Sequence, residues 1–149
     1  MIEYLGNREL LKQRKTAFLA SGTIPPEEVL PAYDWAKHTG REGHCVVSGF
    51  SSHLEQQVLA FLQKGIGAII LVLGRRMYKH VPEQLQPLLD AGRLLIIAVT
   101  DTPRQSKATA FARNRNVCQL ADEIVMVGVT ENSSLAQLKG EFSDKVVEL

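Results

Sequence analysis

Residues 44–74 constrain the fold more than any other stretch, because they read as a strand, a turn, a helix and a second strand. The run 45–47 is apolar and β-branched, which is typical of a buried strand. Ser52 and Glu55 have the spacing of a capping box, with Ser52 as the N-cap of the helix that follows. A second apolar run covers residues 68–73. Two strands joined through a helix lie parallel, so this stretch predicts a βαβ unit.

The same alternation of apolar runs and helical segments continues along the chain. Unbroken apolar strands separated by helices predict a three-layer α/β fold of the doubly wound Rossmann-like type, with a mainly parallel sheet of five or six strands. We predict a single domain over residues 1–149, with a peripheral helix within residues 1–15. The predicted strands are 16–20, 45–48, 68–73, 94–99 and 124–127, with an edge strand within 145–149. The remaining predicted helices are 27–39, 52–64, 82–91, one within 106–121, and a last helix that begins near residue 130.

Composition and charge narrow the classes of function. The 149 residues carry a net charge of +1, so any basic binding site must be local. Cys45 and Cys118 lack CxxC spacing and fall in a predicted strand and a predicted helix, which predicts buried, reduced thiols. Residues 1–15 lack the apolar core of a signal peptide, and no apolar run approaches the roughly 18 residues of a membrane span. We therefore expect a cytoplasmic protein.

Small residues follow several of the predicted strands, and these positions form the candidate site. In doubly wound sheets, ligands bind beyond the carboxyl ends of the strands. Small residues between a strand and a helix leave backbone N–H groups free beside the positive end of the helix dipole, where anions bind. The strand ends concerned are 21–23, 48–51, 74–76, 100–101 and 128–134.

Two basic segments are candidates for binding an anion. Residues 75–80 hold two arginines, a lysine and a histidine, and form either a phosphate-binding loop or a solvated basic turn. Arg115 falls in the middle of an apolar face on a helical wheel, so its guanidinium needs either an internal carboxylate or an anionic ligand. We predict that Arg115 is buried and paired, and that Arg113 faces the ligand edge.

Motifs for metal, dinucleotide or nucleophilic chemistry are absent from the sequence. Ser48-Gly49 lacks the first glycine of a nucleophile elbow, and the four histidines have no metal-ligand spacing. The glycines at 65–67 precede a strand, whereas a dinucleotide fingerprint follows one. We therefore predict no metal and no cofactor, and we interpret Glu55 as a capping residue.

Three segments share their order and spacing with the motifs of a known family. Residues 46–50, VVSGF, followed by a helix and by IILVLG at 69–74, are similar to VVSGLA, a helix and TIAVLG. Residues 111–122, FARNRNVCQLAD, resemble FxxRNRxIAGLxD, and residues 125–135, VMVGVTENSSL, resemble VVVVEA and SGSL. Together they resemble the Rossmann-like domain of the DNA-processing protein A (DprA/Smf) family, within the wider group of Lonely-guy enzymes and molybdenum-cofactor carrier proteins. The similarity covers most of residues 16–149.

The resemblance implies single-stranded DNA binding and a role in DNA processing, but the chain departs from the family's pattern. Gly22-Thr23-Ile24 stands where the family has Gly-Ser/Thr-Arg, so the arginine that would meet DNA is absent. Residues 53–55 replace the family's GID. Gly128 stands in place of the glutamate of VEA, and Ser134 replaces a glycine of SGSL. The PGGxGT motif of the Lonely-guy phosphoribohydrolases is missing, which argues against that chemistry.

We therefore predict a non-catalytic DprA-like domain that binds single-stranded DNA weakly, or else a nucleotide phosphate, at the carboxyl ends of the strands. One alternative is a small nucleotide hydrolase or glycosidase of the Lonely-guy type, with Glu55 or Glu131 as general base. Another alternative is a degenerate domain that serves mainly as a dimerising partner. We expect that the chain can form a homodimer and that it does not bind a membrane. The candidate ligand- or phosphate-binding residues are Ser21, Gly22, Thr23, Ser48, Gly49, Phe50, Ser51, Gly74, Arg75, Arg76, Arg113, Asn114, Arg115, Ser133 and Ser134.

Overall fold

Seven strands form one sheet in the computed structural model, which describes residues 2–149. Along the sheet the strands follow the order β1-β5-β4-β3-β2-β6-β7, and every neighbouring pair is parallel except β1 with β5. The strands are β1 (Glu3–Gly6), β2 (Lys15–Ala20), β3 (Cys45–Ser48), β4 (Ile69–Leu73), β5 (Leu94–Ala98), β6 (Glu123–Val127) and β7 (Val146–Val147).

Helices cover the sheet on both faces. The helices α1, α2 and α3 pack on one face of the sheet, and α4 and α5 pack on the other. They are α1 (Pro26–Glu42), α2 (His53–Gln63), α3 (Gln86–Asp90), α4 (Lys107–Leu120) and α5 (Ser134–Glu141). The predicted fold class is confirmed, and the five predicted core strands agree with β2 to β6 to within one residue.

The core follows from strands whose side chains are buried on both faces. Alternate residues of a strand point to opposite faces, so Phe18 and Val46 join one apolar cluster while Leu19 and Val47 join the other. Cys45 and Cys118 are free, buried thiols, as predicted. Burial raises the pKa of Cys45 to about 11 and that of Cys118 to about 12, so both stay protonated at neutral pH. No helix in residues 2–149 combines the length and the apolar character needed to cross a membrane.

The strand order places a reversal between β2 and β6. From β2 the chain steps through β3 and β4 to β5 in one direction, and it then returns to place β6 on the other side of β2. Such a reversal is the topological switch point of a doubly wound sheet, and ligands of these folds commonly bind in the crevice beyond it.

The predicted peripheral helix at the N-terminus is wrong for the first part of that segment. Strand β1 pairs with β5, so that Tyr4 lies opposite Ile97, and only Arg8–Lys12 forms a short 3-10 helix. Gly6 has a φ of +107°, and a Cβ there would lie 2.3 Å from the carbonyl oxygen of Leu94. Pairing with the open edge of β5 therefore determines the conformation of residues 3–6.

The predicted helix from Pro82 to about residue 91 is also shorter than expected. It is divided into a 3-10 turn, Glu83–Leu85, and the five-residue α3. Pro87 lies in the first turn of α3 and has no N–H to continue a hydrogen-bond ladder from the preceding turn. The carboxyl half of β4 is consequently covered by loop side chains, including Met77 and Tyr78, where a longer helix would otherwise lie.

Candidate functional site

The loops at the carboxyl ends of β2 to β6 meet along one edge of the sheet, and they differ in charge from one end to the other. We call residues 74–80 and 99–107, after β4 and β5, the basic half. These two loops contain five lysine or arginine residues and one acidic residue, Asp101. We call residues 21–28 and 128–134, after β2 and β6, the acidic half, which contains three glutamates and no lysine or arginine. The loop after β3, residues 49–52, lies between the two halves.

Backbone contacts join the two loops of the basic half. The N–H of Arg76 donates to the carbonyl oxygen of Thr102 at 2.8 Å. Gly74 packs against the next loop, since a Cβ on it would lie 3.0 Å from the side-chain oxygen of Gln105. The side-chain nitrogen of Gln105 donates to Ser51 Oγ at 3.3 Å, which connects this half to the loop after β3. Hydrogen bonds therefore join the two loops that carry the cations to each other and to the loop after β3.

The cations of the basic half are free of carboxylate partners among residues 2–149. The three ion pairs in that part of the chain join Lys12 to Glu9, Arg14 to Glu123, and Arg115 to Glu141. Within the basic half, Arg75 Nε donates to the carbonyl oxygen of Arg76 at 3.0 Å.

The guanidinium of Arg75 also lies 5.5 Å from the centre of the Tyr78 ring. Burial raises the pKa of the Tyr78 phenol, and the charge of Arg75 acts in the opposite direction.

In the acidic half, side chains of the chain itself bond to polar groups of the loops. Glu28, in the first turn of α1, accepts a hydrogen bond from the N–H of Gly128 at 3.3 Å, which joins the segment after β2 to the segment after β6. Ser21 Oγ donates to the carbonyl oxygen of Thr23 at 2.7 Å, so this hydroxyl is used within its own turn. The switch point therefore holds an internal carboxylate where an anionic ligand would otherwise bind.

Gly128 has no room for a side chain. Its φ is +73°, and a Cβ there would lie 2.6 Å from both Ile24 Cδ1 and Ser21 Oγ. Ile24 and Gly128 are two of the positions where the sequence departs from the DprA/Smf pattern, and the structure packs them against each other.

The loop after β3 also carries an internal anion. Glu55 is 3% exposed, and its carboxylate accepts hydrogen bonds from the backbone N–H groups of Ala20, Ser51 and Ser52 at 2.9, 2.8 and 3.1 Å. The predicted capping box between Ser52 and Glu55 is confirmed. The expectation that Ser51 offers a free N–H to a ligand is wrong, because Glu55 already occupies that position. A buried carboxylate with these three donors is also a poor general base, which argues against the hydrolase alternative at Glu55.

The same loop is strained at Phe50. Its φ of +45° lies in the left-handed region, which bulky residues rarely adopt. The N–H of Phe50 donates to the buried Ser48 Oγ at 3.0 Å, and its ring packs in the core. Ser48 and Phe50 therefore shape the loop and do not present groups to solvent.

The burial predicted for the two arginines of α4 is reversed in the structure. Arg113 is the buried one, at 3% exposure, whereas Arg115 is exposed and paired with Glu141. Arg113 Nε donates to Asn114 Oδ1 at 2.7 Å, and Nη1 lies 3.4 Å from the carbonyl oxygen of Val72.

The helical wheel gave the wrong arginine because it considers only which residues of α4 share its apolar face. Arg113 instead reaches the space beneath Gly49, where a Cβ would lie 2.3 Å from Nη1. Burial lowers the pKa of the Arg113 guanidinium, and the nearby Glu55 carboxylate partly offsets this.

The last two predicted residues have ordinary structural positions. Ser133 is the N-cap of α5, where Oγ accepts from the N–H of Ala136 at 3.1 Å and donates to the carbonyl oxygen of Thr130 at 2.6 Å. Ser134 is exposed at the first position of α5. Of the predicted residues, Arg75 and Arg76 thus combine a charge and access to solvent with the absence of a carboxylate partner among residues 2–149, whereas the exposed Arg115 is paired with Glu141.

Sequence reasoning missed three features of this edge. Arg104 and Lys107 belong to the basic half, but they lie in a predicted turn and helix start, and their approach to residues 74–76 depends on the pairing of β4 with β5. Glu28 resembles an ordinary acidic residue in the first turn of a helix. Its bond to Gly128 becomes visible only when the strand order is known.

Comparison with protein-family models gives no match, and comparison with curated protein sequences gives none either. Comparison with solved structures does define the class: the chain has the Rossmann-like fold shared by DNA-processing protein A and molybdenum-cofactor carrier proteins, as the motifs predicted.

The chain is similar to DNA-processing protein A from Helicobacter pylori, with a TM-score of 0.78 and 18% identity over 99% of this chain and 70% of that chain. The H. pylori protein is described as binding single-stranded DNA. The Streptococcus pneumoniae protein also gives a TM-score of 0.78, at 19% identity over 99% of this chain and 54% of its own, so the chain spans about half of that protein's length. The molybdenum cofactor binding protein of Rippkaea orientalis gives 0.64, at 16% identity over 91% of this chain and 76% of its own.

Proposed function

We propose that the chain binds single-stranded DNA through phosphate contacts to the basic half, in a role related to DNA processing. One observation carries the proposal. Five lysine and arginine side chains, Arg75, Arg76, Lys79, Arg104 and Lys107, stand on two loops at the carboxyl edge of a Rossmann-like sheet, and none has a carboxylate partner among residues 2–149. The likeness in fold to a protein described as binding single-stranded DNA supports the same choice of ligand. A nucleotide phosphate is the second ligand class that fits these cations.

We expect weak binding, since only part of the edge attracts a polyanion. Ile24 stands where the family has an arginine, and Glu27, Glu28 and Glu131 repel phosphates at the acidic half. Contacts limited to exposed cations give dissociation constants on the order of 10⁻⁴ to 10⁻⁶ M at physiological salt.

The test is a fluorescence-anisotropy titration of a labelled homopolymeric single strand over a series of potassium chloride concentrations. Each phosphate contact on a single strand contributes a slope of roughly −0.7 to log K against log salt, so Arg76→Gln and Arg104→Gln should each flatten the slope by about that amount. The matched control is Arg41→Gln, an exposed arginine in the last turn of α1, at the opposite end of the sheet.

The backbone contact between Arg76 and Thr102 survives substitution of the side chain, so the variant isolates the charge. Salt-independent binding, or an equal change of slope in Arg41→Gln and Arg76→Gln, would contradict the proposal.

A further inference from the structure

A cavity of about 390 Å³ opens between α2 and the loop that leads to α3, directly beside the basic half. It exists because α3 is five residues long and leaves the carboxyl half of β4 without a helix above it. Leu71 of β4 forms its floor, α2 forms one wall through Leu59 and Gln63, and Tyr78 forms part of the opposite wall. Its volume lies within the range of about 300 to 1,000 Å³ that small-molecule sites occupy.

The lining of this cavity contains no charged side chain, but it carries three glutamine amides, at Gln56, Gln63 and Gln84. Gln56 Nε2 donates to the carbonyl oxygen of Ser51 at 3.0 Å, and Gln63 Nε2 donates to that of Gln84 at 3.1 Å. These two contacts hold the side chains in place and leave their amide oxygens able to accept hydrogen bonds. Uncharged donors and acceptors beside apolar walls match a planar heterocycle, such as a nucleobase, better than a phosphate or a carboxylate.

A cation lies beside one residue of the cavity wall. Tyr78 lines the cavity, and the guanidinium of Arg75 lies over the Tyr78 ring, 5.5 Å from its centre. A nucleotide places its phosphate a short distance from its base, so one nucleotide can contact Arg75 with its phosphate while its base enters the cavity. The aromatic ring of Tyr78 adds a surface on which a base can stack.

From this arrangement we infer that the cavity between α2 and residues 78–85 is a base-binding pocket, which takes one unstacked base of the strand whose phosphates contact the basic half. This inference rests on the proposed function and adds base recognition to it.

The experiment compares two probes on the full chain: a labelled oligodeoxyadenylate, and a strand of equal length and charge in which every base is replaced by an abasic tetrahydrofuran site. The wild-type protein should bind the oligodeoxyadenylate about tenfold more tightly, which is the size of effect expected when one base stacks on an aromatic side chain. Ala60→Phe, which fills the cavity from α2, and Tyr78→Leu, which removes the ring, should each abolish this preference, and Ala60→Phe should leave the affinity for the abasic strand unchanged.

Gln119→Phe places a phenyl ring at an exposed position of α4, on the opposite face of the sheet, and serves as the control that keeps the preference. Equal affinity of the wild-type protein for both strands would overturn the base pocket and leave phosphate binding standing. A preference that survives both Ala60→Phe and Tyr78→Leu would overturn it as well. Binding of neither strand would overturn the proposed function together with the pocket.

Discussion

The loops after β4 and β5 carry five basic side chains, whereas the loops after β2 and β6 carry none. The two halves also differ in packing. In the acidic half, Glu28 bonds to the N–H of Gly128, and Ile24 fills the space beside it. In the basic half, the backbone is joined at Arg76 and Thr102, and the charged side chains remain free of carboxylates.

The topological switch point alone therefore does not locate a binding site. The switch point lies between β2 and β6, where doubly wound folds commonly bind ligands, but this chain fills it with its own carboxylate. Two departures from the DprA/Smf pattern, Ile24 and Gly128, lie at this end of the edge. The charge that suits a phosphate backbone lies two strands away.

The largest expected effect is at the boundary between the halves, where Arg113 lies beneath Gly49. Arg113→Ala should lower the free energy of unfolding by about 2 to 4 kcal/mol, because it leaves an unfilled space beneath Gly49 and removes the donor to Asn114 Oδ1 and to the carbonyl oxygen of Val72. Arg115→Ala removes an exposed ion pair with Glu141 and should cost at most about 1 kcal/mol. Urea unfolding of both variants measures the difference, and two midpoints equal to that of the wild type would show that Arg113 has no structural role.

The next effect tests whether the acidic half is tightly packed. Gly128→Ala should cost about 1 to 3 kcal/mol, because the residue has a positive φ and its Cβ would meet Ile24 and Ser21. Gly22→Ala is the control in the same half: no atom lies within 4 Å of its added Cβ, so stability should stay within about 0.5 kcal/mol of the wild type. Thermal unfolding of both variants distinguishes the two positions. Equal losses would mean that the crowding is not specific to Gly128.

Replacing an acidic residue by lysine should change DNA binding more in the basic half than in the acidic half. Asp101→Lys adds a cation to the loops that we propose bind the strand, and it should steepen the salt slope by about 0.7. Glu131→Lys makes the same change of charge in the acidic half and should have a smaller effect, because the proposed binding surface does not include that half. The measurement is the salt titration described above, and an equal response in the two variants would show that the strand crosses the whole edge.

The smallest expected effect concerns Tyr78, which lies in the basic half. The acidic half contains no tyrosine, so this effect belongs to the basic half alone. Burial raises the pKa of Tyr78 above its ordinary value near 10, so the folded state favours the neutral phenol. The stability that this contributes is fully present below about pH 10 and is lost as the pH rises through the pKa of the folded state. Tyr78→Phe should therefore lose less stability than the wild type as the pH rises above about 10.

Cys45 and Cys118 titrate in the same alkaline range, and they are unchanged in the Tyr78→Phe variant. The difference between the two pH profiles therefore isolates the phenol. Identical profiles would contradict the assignment of the raised pKa to Tyr78.

Local patterns predicted the fold well because each depends on residues close in the chain. The capping box at Ser52 and Glu55 and the apolar runs of β2 to β6 are of this kind. Strand β1 was missed because it forms only against the edge of β5, which lies far away in the sequence.

The candidate site was predicted less well, because its main features depend on non-local contacts. The burial of Arg113 depends on the space beneath Gly49, which belongs to another strand end. The hydrogen bond from the N–H of Gly128 to Glu28 depends on the strand order, and the cavity beside Tyr78 depends on where α3 begins. A helical wheel or a motif contains none of this information.

The strand order also determines which part of the sheet's carboxyl edge forms first during synthesis. Thr16 of β2 and Glu123 of β6 are neighbours in the sheet but lie 107 residues apart in the chain, whereas β4 pairs with the strand that follows it directly. Pairs of large separation form late, because a long loop must close first. As the chain leaves the ribosome, β3, β4 and β5 are available before residue 123 has been made. Each new molecule therefore exposes its cationic loops before residues 128–134, the second segment of the acidic half, have been made.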